Sequence, residues 1–96
     1  MANTYRLDWH ARVRNQIQQV PNRVGFDCLQ AILNLGHDPY PPSAEDLIAP
    51  YRGIRKIKLD GWRILYEVSE EDKVVTIITV KRSDRATYLN LFSVLF

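Results

Sequence analysis

The sequence predicts an α+β domain: an N-terminal strand, a two-helix antiparallel hairpin, then a three-stranded antiparallel meander, with the helices on one face of the sheet. Three observations carry this. Apolar residues recur at helical spacing between Ala11 and Leu35, then at a period of two from Ile54 onward. A proline-rich break separates the two regimes. Asp60-Gly61 sits between two alternating runs, among the strongest short signals for a β-hairpin. A length of 96 residues with 46% hydrophobic and 25% charged side chains suits a single domain over 1–96. It excludes disorder, collagen and coiled coil.

Each element has a local reason. Tyr5, Leu7 and Trp9 alternate with Arg6 and Asp8, as in a short half-buried strand. Val13, Ile17 and Val20 then recur at helical spacing, and Pro21 stops that helix and can start the next. The second helix carries Val24, Cys28, Leu29, Ile32 and Leu35 on one face and ends at Gly36. Gly25 inside it costs about 1 kcal/mol of helix propensity relative to Ala, so this helix needs tertiary packing. Residues 36–50, with Asp38-Pro39-Tyr40-Pro41-Pro42 and Pro50, read as a surface loop with one short helical turn at Ser43–Ile48. Ile54–Leu59, Trp62–Ser69 and Val74–Lys81 follow as strands, the last two joined by Glu70-Glu71-Asp72-Lys73.

The two-residue turn at Asp60-Gly61 sets the hairpin register. Leu59 faces Trp62, Lys58 faces Arg63, Ile57 faces Ile64 and Lys56 faces Leu65. Directly opposed residues point to the same side of a sheet. Lys56, Lys58 and Arg63 therefore share one face, and Ile57, Leu59, Trp62, Ile64 and Tyr66 share the core face. Opposed like charges cost a few tenths of a kcal/mol up to about 1. Either a function selects the arrangement, or it is an ordinary solvated face. For the last strand, an even loop places Val80 opposite Arg63 and leads the basic face to Arg82, whereas an odd loop places Lys81 there. Both parities of that strand are apolar, so both registers stay open. Either way Lys81, Arg82 and Arg85 emerge near the Lys58/Arg63 end of the hairpin, and Tyr88 follows.

Clustered cations with a nearby tyrosine suit RNA chemistry. Cations neutralise the backbone and the charge that develops on a phosphorane. A tyrosine stacks on an exposed base. Strand cleavage without a metal needs an activated 2′-hydroxyl, a stabilised dianionic transition state and a protonated 5′-oxygen, and a lysine among cations is one candidate base.

Lys56-Ile57-Lys58-Leu59, Trp62-Arg63-Ile64-Leu65-Tyr66-Glu67-Val68 and Ile78-Thr79-Val80-Lys81-Arg82, with Tyr88 six residues beyond Arg82, resemble the RelE/ParE superfamily of bacterial toxins, RelE-like branch. The resemblance implies a RelE-like fold and the toxin of a type II toxin–antitoxin system. It implies ribosome-dependent mRNA cleavage in the A site by metal-independent attack of the 2′-hydroxyl, with no cofactor. By the same resemblance, Lys58 aided by Lys56 activates the 2′-hydroxyl and Arg63 stabilises the phosphorane. Arg82 serves the leaving group and Tyr88 orients or stacks the RNA, with Arg55, Lys81 and Arg85 as further RNA contacts. The implied partners are a RelB-like antitoxin, the ribosome and mRNA. Alternatives are a ParE-like gyrase inhibitor and a catalytically degenerate homologue that binds antitoxin as a co-repressor. The sequence departs from the RelE pattern in its short hairpin turn, in Val80 where a glycine usually precedes the Lys-Arg pair, and in a net charge of only +2.

The remaining residues read more plainly. His10 and His37 have no partner at metal-ligand spacing, so no metal site is expected. Cys28 reads as a small buried hydrophobe and leaves no disulfide to form. Tyr5 and Trp9 read as core, and Glu70-Glu71-Asp72 as a solvated turn. The N-terminal segment turns polar by Asp8, so no signal-peptide core is expected and a cytoplasmic location without membrane contact is. Residues 89–96 are almost uncharged, so they either fold back on the core or bind a partner. The charge is uneven. Residues 1–50 carry four basic and five acidic side chains, and residues 51–96 carry nine and six, so the positive excess lies in the strand-rich half.

Overall fold

The computed structural model describes residues 4–47 and 51–82. Within them the chain forms β1 (Arg6–Trp9), α1 (Ala11–Gln19), α2 (Asn22–Leu35), β2 (Ala44–Asp46), β3 (Ile54–Leu59), β4 (Trp62–Ser69) and β5 (Val74–Arg82). The five strands make one sheet in the order β1-β5-β4-β3-β2. β1 lies parallel to β5 and every other pairing is antiparallel. This is the expected α+β arrangement, with one more strand than the sequence pattern announces.

The helix hairpin turns where proline dictates. Val20 is extended, with ψ of 138°, because a residue before proline is pushed out of the α region, and Pro21, with ψ of 139°, stands just ahead of α2. At the far end, the Tyr5 N–H donates to the Gly36 carbonyl at 3.0 Å and ties the start of β1 to the end of α2. Val13 from α1 and Cys28, Ile32 and Leu35 from α2 pack on Ile57, Ile64, Tyr66, Val75, Ile77 and Val80. Cys28 is fully buried there, as its place on the helix suggests. Burial at this scale stabilises by about 25 cal/mol per Å² of apolar surface removed from water, and supplies the packing that Gly25 requires.

Three expectations change. Ala44–Asp46 is a strand and not a helical turn. Its reason is non-local: Glu45 pairs with Lys56 and Asp46 with Arg55, so two carboxylates meet two cations across the β2–β3 ladder. Such opposite-charge pairs are worth about 0.2–1 kcal/mol each. Trp9 is 54% exposed, because it ends a sheet-edge strand just before the chain turns into α1, whereas Tyr5 is buried as expected. Leu29 is also partly exposed, at the margin of the apolar face of α2.

The third change concerns the sheet itself. The hairpin register is as the turn dictates, and Asp60 and Gly61 both have positive φ, 46° and 83°. The β4–β5 loop is even, with Ser69 opposite Val74. Even so, Arg63 stands opposite Lys81, because a β-bulge between Leu65 and Tyr66 shifts the register by one. Before the bulge Val75 and Ile77 enter the core; after it Val80 does. Both parities of β5 are apolar because both are used.

Candidate functional site

The turn and the bulge together align three cations. The Asp60-Gly61 turn places Lys58 of β3 opposite Arg63 of β4, and the bulge places Lys81 of β5 on the other side of Arg63. Lys58, Arg63 and Lys81 thus form a row across three strands, on the sheet face away from the helices. Opposed side chains in such a ladder start about 4.5–5.5 Å apart at Cβ. Lys56 stands one pair along on the same face, opposite Leu65, and its ammonium lies 3.8 Å from the Glu45 carboxylate. Arg63 and Lys56 are nearly buried, with 8% and 9% exposed, while Lys58 is open to solvent.

The same face holds a small apolar cluster. Leu65 and Ile78 are buried there and pack with Leu47, Tyr51 and Ile54. Tyr51 is the aromatic that the described structure brings to the basic face. Sequence reasoning passed over it because it lies in a turn before β3, where no alternation assigns a side.

Two of the expected residues do not join the row. Arg82 pairs with Trp62 and is therefore on the other parity, exposed at the end of β5. Arg55 also belongs to the helix-side face. Its Nε donates to the Tyr66 hydroxyl at 3.3 Å, its guanidinium bonds Asp46 at 2.6 Å, and it sits 5.1 Å over the Tyr40 ring. The Tyr66 hydroxyl donates in turn to the Pro39 carbonyl at 2.7 Å. Arg85 and Tyr88 lie outside the described residues.

The opposite end of the sheet is built differently. The Glu70 carboxylate accepts from the Tyr5 hydroxyl at 2.7 Å, from the Tyr40 hydroxyl, and from Lys73 at 3.0 Å. The hydrogen bond from Tyr40, then those from Tyr5 and Lys73, hold the Glu70 carboxyl down at about 2. The same bond pushes the Tyr40 phenol up to about 12, and the bond to Glu70 likewise raises Tyr5. Glu70 is exposed, as expected of the acidic turn, and is also a structural tie between β1, the 36–43 loop and the β4–β5 turn. Among the described residues, no three His, Cys, Asp or Glu side chains gather as a metal site. No described helix is long and apolar enough to cross a membrane.

The row can hold an anion and concentrate positive charge where an oxyanion develops. Tyr51 and the apolar cluster give the same face a surface on which a ring can lie.

Comparison with known proteins gives the site a context. Residues 5–87 match the model of a family described as the ParE toxin of the type II toxin–antitoxin system parDE. Among curated proteins, none matches the sequence. The archaeal RelE–RelB complex of Pyrococcus horikoshii OT3 contains a chain 26% identical, with a TM-score of 0.74, covering 85% of this chain and 98% of that one. The RelBE2 toxin–antitoxin complex of Mycobacterium tuberculosis contains one 19% identical, with a TM-score of 0.73 and coverages of 82% and 98%. The intact E. coli RelBE complex contains one 24% identical, with a TM-score of 0.70 and coverages of 84% and 99%. The last two similarities speak to the fold.

Proposed function

Because the chain belongs to the ParE toxin family of type II toxin–antitoxin systems, and so to the RelE/ParE superfamily with its RelE-like branch, we propose that this toxin is a ribosome-dependent mRNA endonuclease. The observation that carries the proposal is the row Lys58–Arg63–Lys81 with Lys56 beside it on one sheet face. A polyanion laid along such a row is held by several cations at once.

In the proposed reaction the 2′-oxygen of the RNA attacks the adjacent phosphorus and the bond to the 5′-oxygen breaks. Lys58, in its neutral amine form, takes the 2′-hydroxyl proton and becomes the ammonium, aided by Lys56. Arg63 and Lys81 stabilise the dianionic phosphorane, Arg82 gives the departing 5′-oxygen its proton and regains one from solvent, and Tyr88 orients or stacks the RNA. The products are a 2′,3′-cyclic phosphate and a 5′-hydroxyl, so neither a cofactor nor a metal enters the balance. Its partners are the ribosome, mRNA and a RelB-like antitoxin whose acidic segment covers the basic face, and it acts in the cytoplasm.

Mapping transcript ends after induction tests the reading. Cuts within A-site codons are expected, and Arg82→Ala is expected to remove them while the protein stays folded. Cutting by a folded Arg82→Ala protein would overturn the role given to Arg82. A second reading, a toxin that inhibits gyrase, is favoured by the match to the ParE family model. Intact mRNA together with a DNA-damage response would select it.

A further inference from the structure

The row of cations starts at Lys58 on the edge of β3, beside a notch that lies on the helix side of the same edge. β2 pairs with β3 across Arg55, Lys56 and Ile57, so among the described residues no strand pairs with Lys58 and Leu59 on the side away from β4. Between this edge and α2 is a cavity of about 380 Å³, lined among others by Asp27, Gln30 and Asn34 of α2 and by Pro41, Lys58 and Leu59. That size lies toward the lower end of small-ligand pockets, which span ~300–1,000 Å³. Asp27, Gln30 and Asn34 are three and four residues apart, so they form one stripe of the helix. Lys58 belongs both to the notch and to the row.

We propose that the notch receives an unstacked nucleobase of the RNA strand whose phosphate lies on the row, an inference that rests on the endonuclease reading above. One sugar separates a phosphate from its base, and Lys58 is where phosphate site and notch meet. The lining has the chemistry a base requires. Side-chain amides offer donor and acceptor together, and a carboxylate accepts from ring or exocyclic N–H groups. Single-stranded RNA is read through such contacts to base edges, with a flat apolar surface against the ring, here Pro41 and Leu59. The charge of the notch also selects its occupant. The Asp27 carboxylate in the lining suits a neutral base and disfavours the carboxylates of an acidic protein segment, while Arg63 and Lys81 take the phosphate.

The test titrates the full-length protein with each of the four ribonucleoside 3′-monophosphates and follows amide and side-chain NMR signals. The side-chain NH₂ signals of Gln30 and Asn34 are expected to shift together with Lys58. Affinities are expected to differ among bases by at least about fivefold, the low end of what one good base contact supplies. In Asp27→Asn/Asn34→Ala, and in the exposed-site variant Gln30→Ala, that spread shrinks to about twofold while ribose 5-phosphate binds as before. Shifts confined to the row, with the notch silent, overturn the proposal. So does a variant that keeps its base preference but loses an Asp/Glu-rich peptide, since the notch is then a protein site. mRNA cutting is scored separately. A wild-type protein that seats a base in the notch but leaves mRNA intact removes the nuclease reading and keeps the notch, whereas a cutting protein with a silent notch loses only the notch.

Discussion

The two ends of the sheet use charge in opposite ways. At the β4–β5 turn, Glu70 collects Tyr5, Tyr40 and Lys73, and Lys73 lies 5.1 Å over the Tyr5 ring. At the β2–β3 edge, Arg55 and Lys56 each meet a carboxylate across the ladder. At the hairpin end, Lys58, Arg63 and Lys81 meet one another. The first two arrangements lower the free energy of the folded chain and hold loops on the sheet. The third sets three cations in register on one face, which is where the proposed reaction needs positive charge. Lys56 belongs to both patterns, since it meets Glu45 across the ladder and stands beside the row.

That contrast can be broken or sharpened by substitution. The largest effect is expected from Arg63→Ala, at the centre of the row. Removing one group that stabilises transition-state charge typically costs about 10²–10³-fold in rate, so mRNA cutting in a reconstituted translation reaction is expected to fall by that order. At the other end, Tyr66→Phe removes the donor to Pro39 and the acceptor of Arg55 inside the core. A buried polar group left without its partner costs about 1–3 kcal/mol. Urea denaturation is expected to show that loss, with the cutting rate of the folded fraction unchanged.

The Glu70 tie makes a pH prediction with a definite sign. Its carboxyl sits at about 2 in the folded chain against 4.5 for the free group, so its contribution is complete above pH 4.5. It is lost as the pH falls from 4.5 toward 2, because the unfolded chain takes up the proton first. Denaturation at a series of pH values is expected to show this loss in the wild type and not in Glu70→Gln. The smallest effect is Lys58→Ala on stability. Relieving one opposed like-charge pair is expected to leave the unfolding free energy unchanged or raise it by up to about 1 kcal/mol. A clear fall in the thermal midpoint would mean that Lys58 holds the fold together, and the contrast between the ends would fail.

How much of this could be read from the chain follows the range of each interaction. The Lys58/Arg63 pairing was legible because a two-residue turn fixes register locally, and Asp60-Gly61 names that turn. The Arg63/Lys81 pairing was not. Counting through the even loop brings Val80 opposite Arg63, and only the bulge at Leu65/Tyr66 moves Lys81 there. Doubled apolar parity in β5 was the visible trace of that bulge. β2 was hidden because its stability comes from Lys56 and Arg55, which no local pattern connects to Glu45 and Asp46. The Glu70 tie joins residues 65 positions apart, and a run of acidic residues gives no hint of it. Arg55 looked like part of the basic set by composition, but its parity assigns it to Tyr66 and the loop.

The most direct test of the account uses purified ribosomes programmed with an mRNA that carries a single 2′-deoxy substitution at the cut position. Wild-type protein is expected to cut the all-ribose message once, leaving a 2′,3′-cyclic phosphate, and to leave the deoxy message intact. Folded Arg63→Ala and Lys58→Ala proteins are expected to cut the all-ribose message far more slowly. Undiminished cutting of the deoxy message, or undiminished cutting by both variants, would contradict the claim that the row of cations on this face drives attack by the RNA's own hydroxyl.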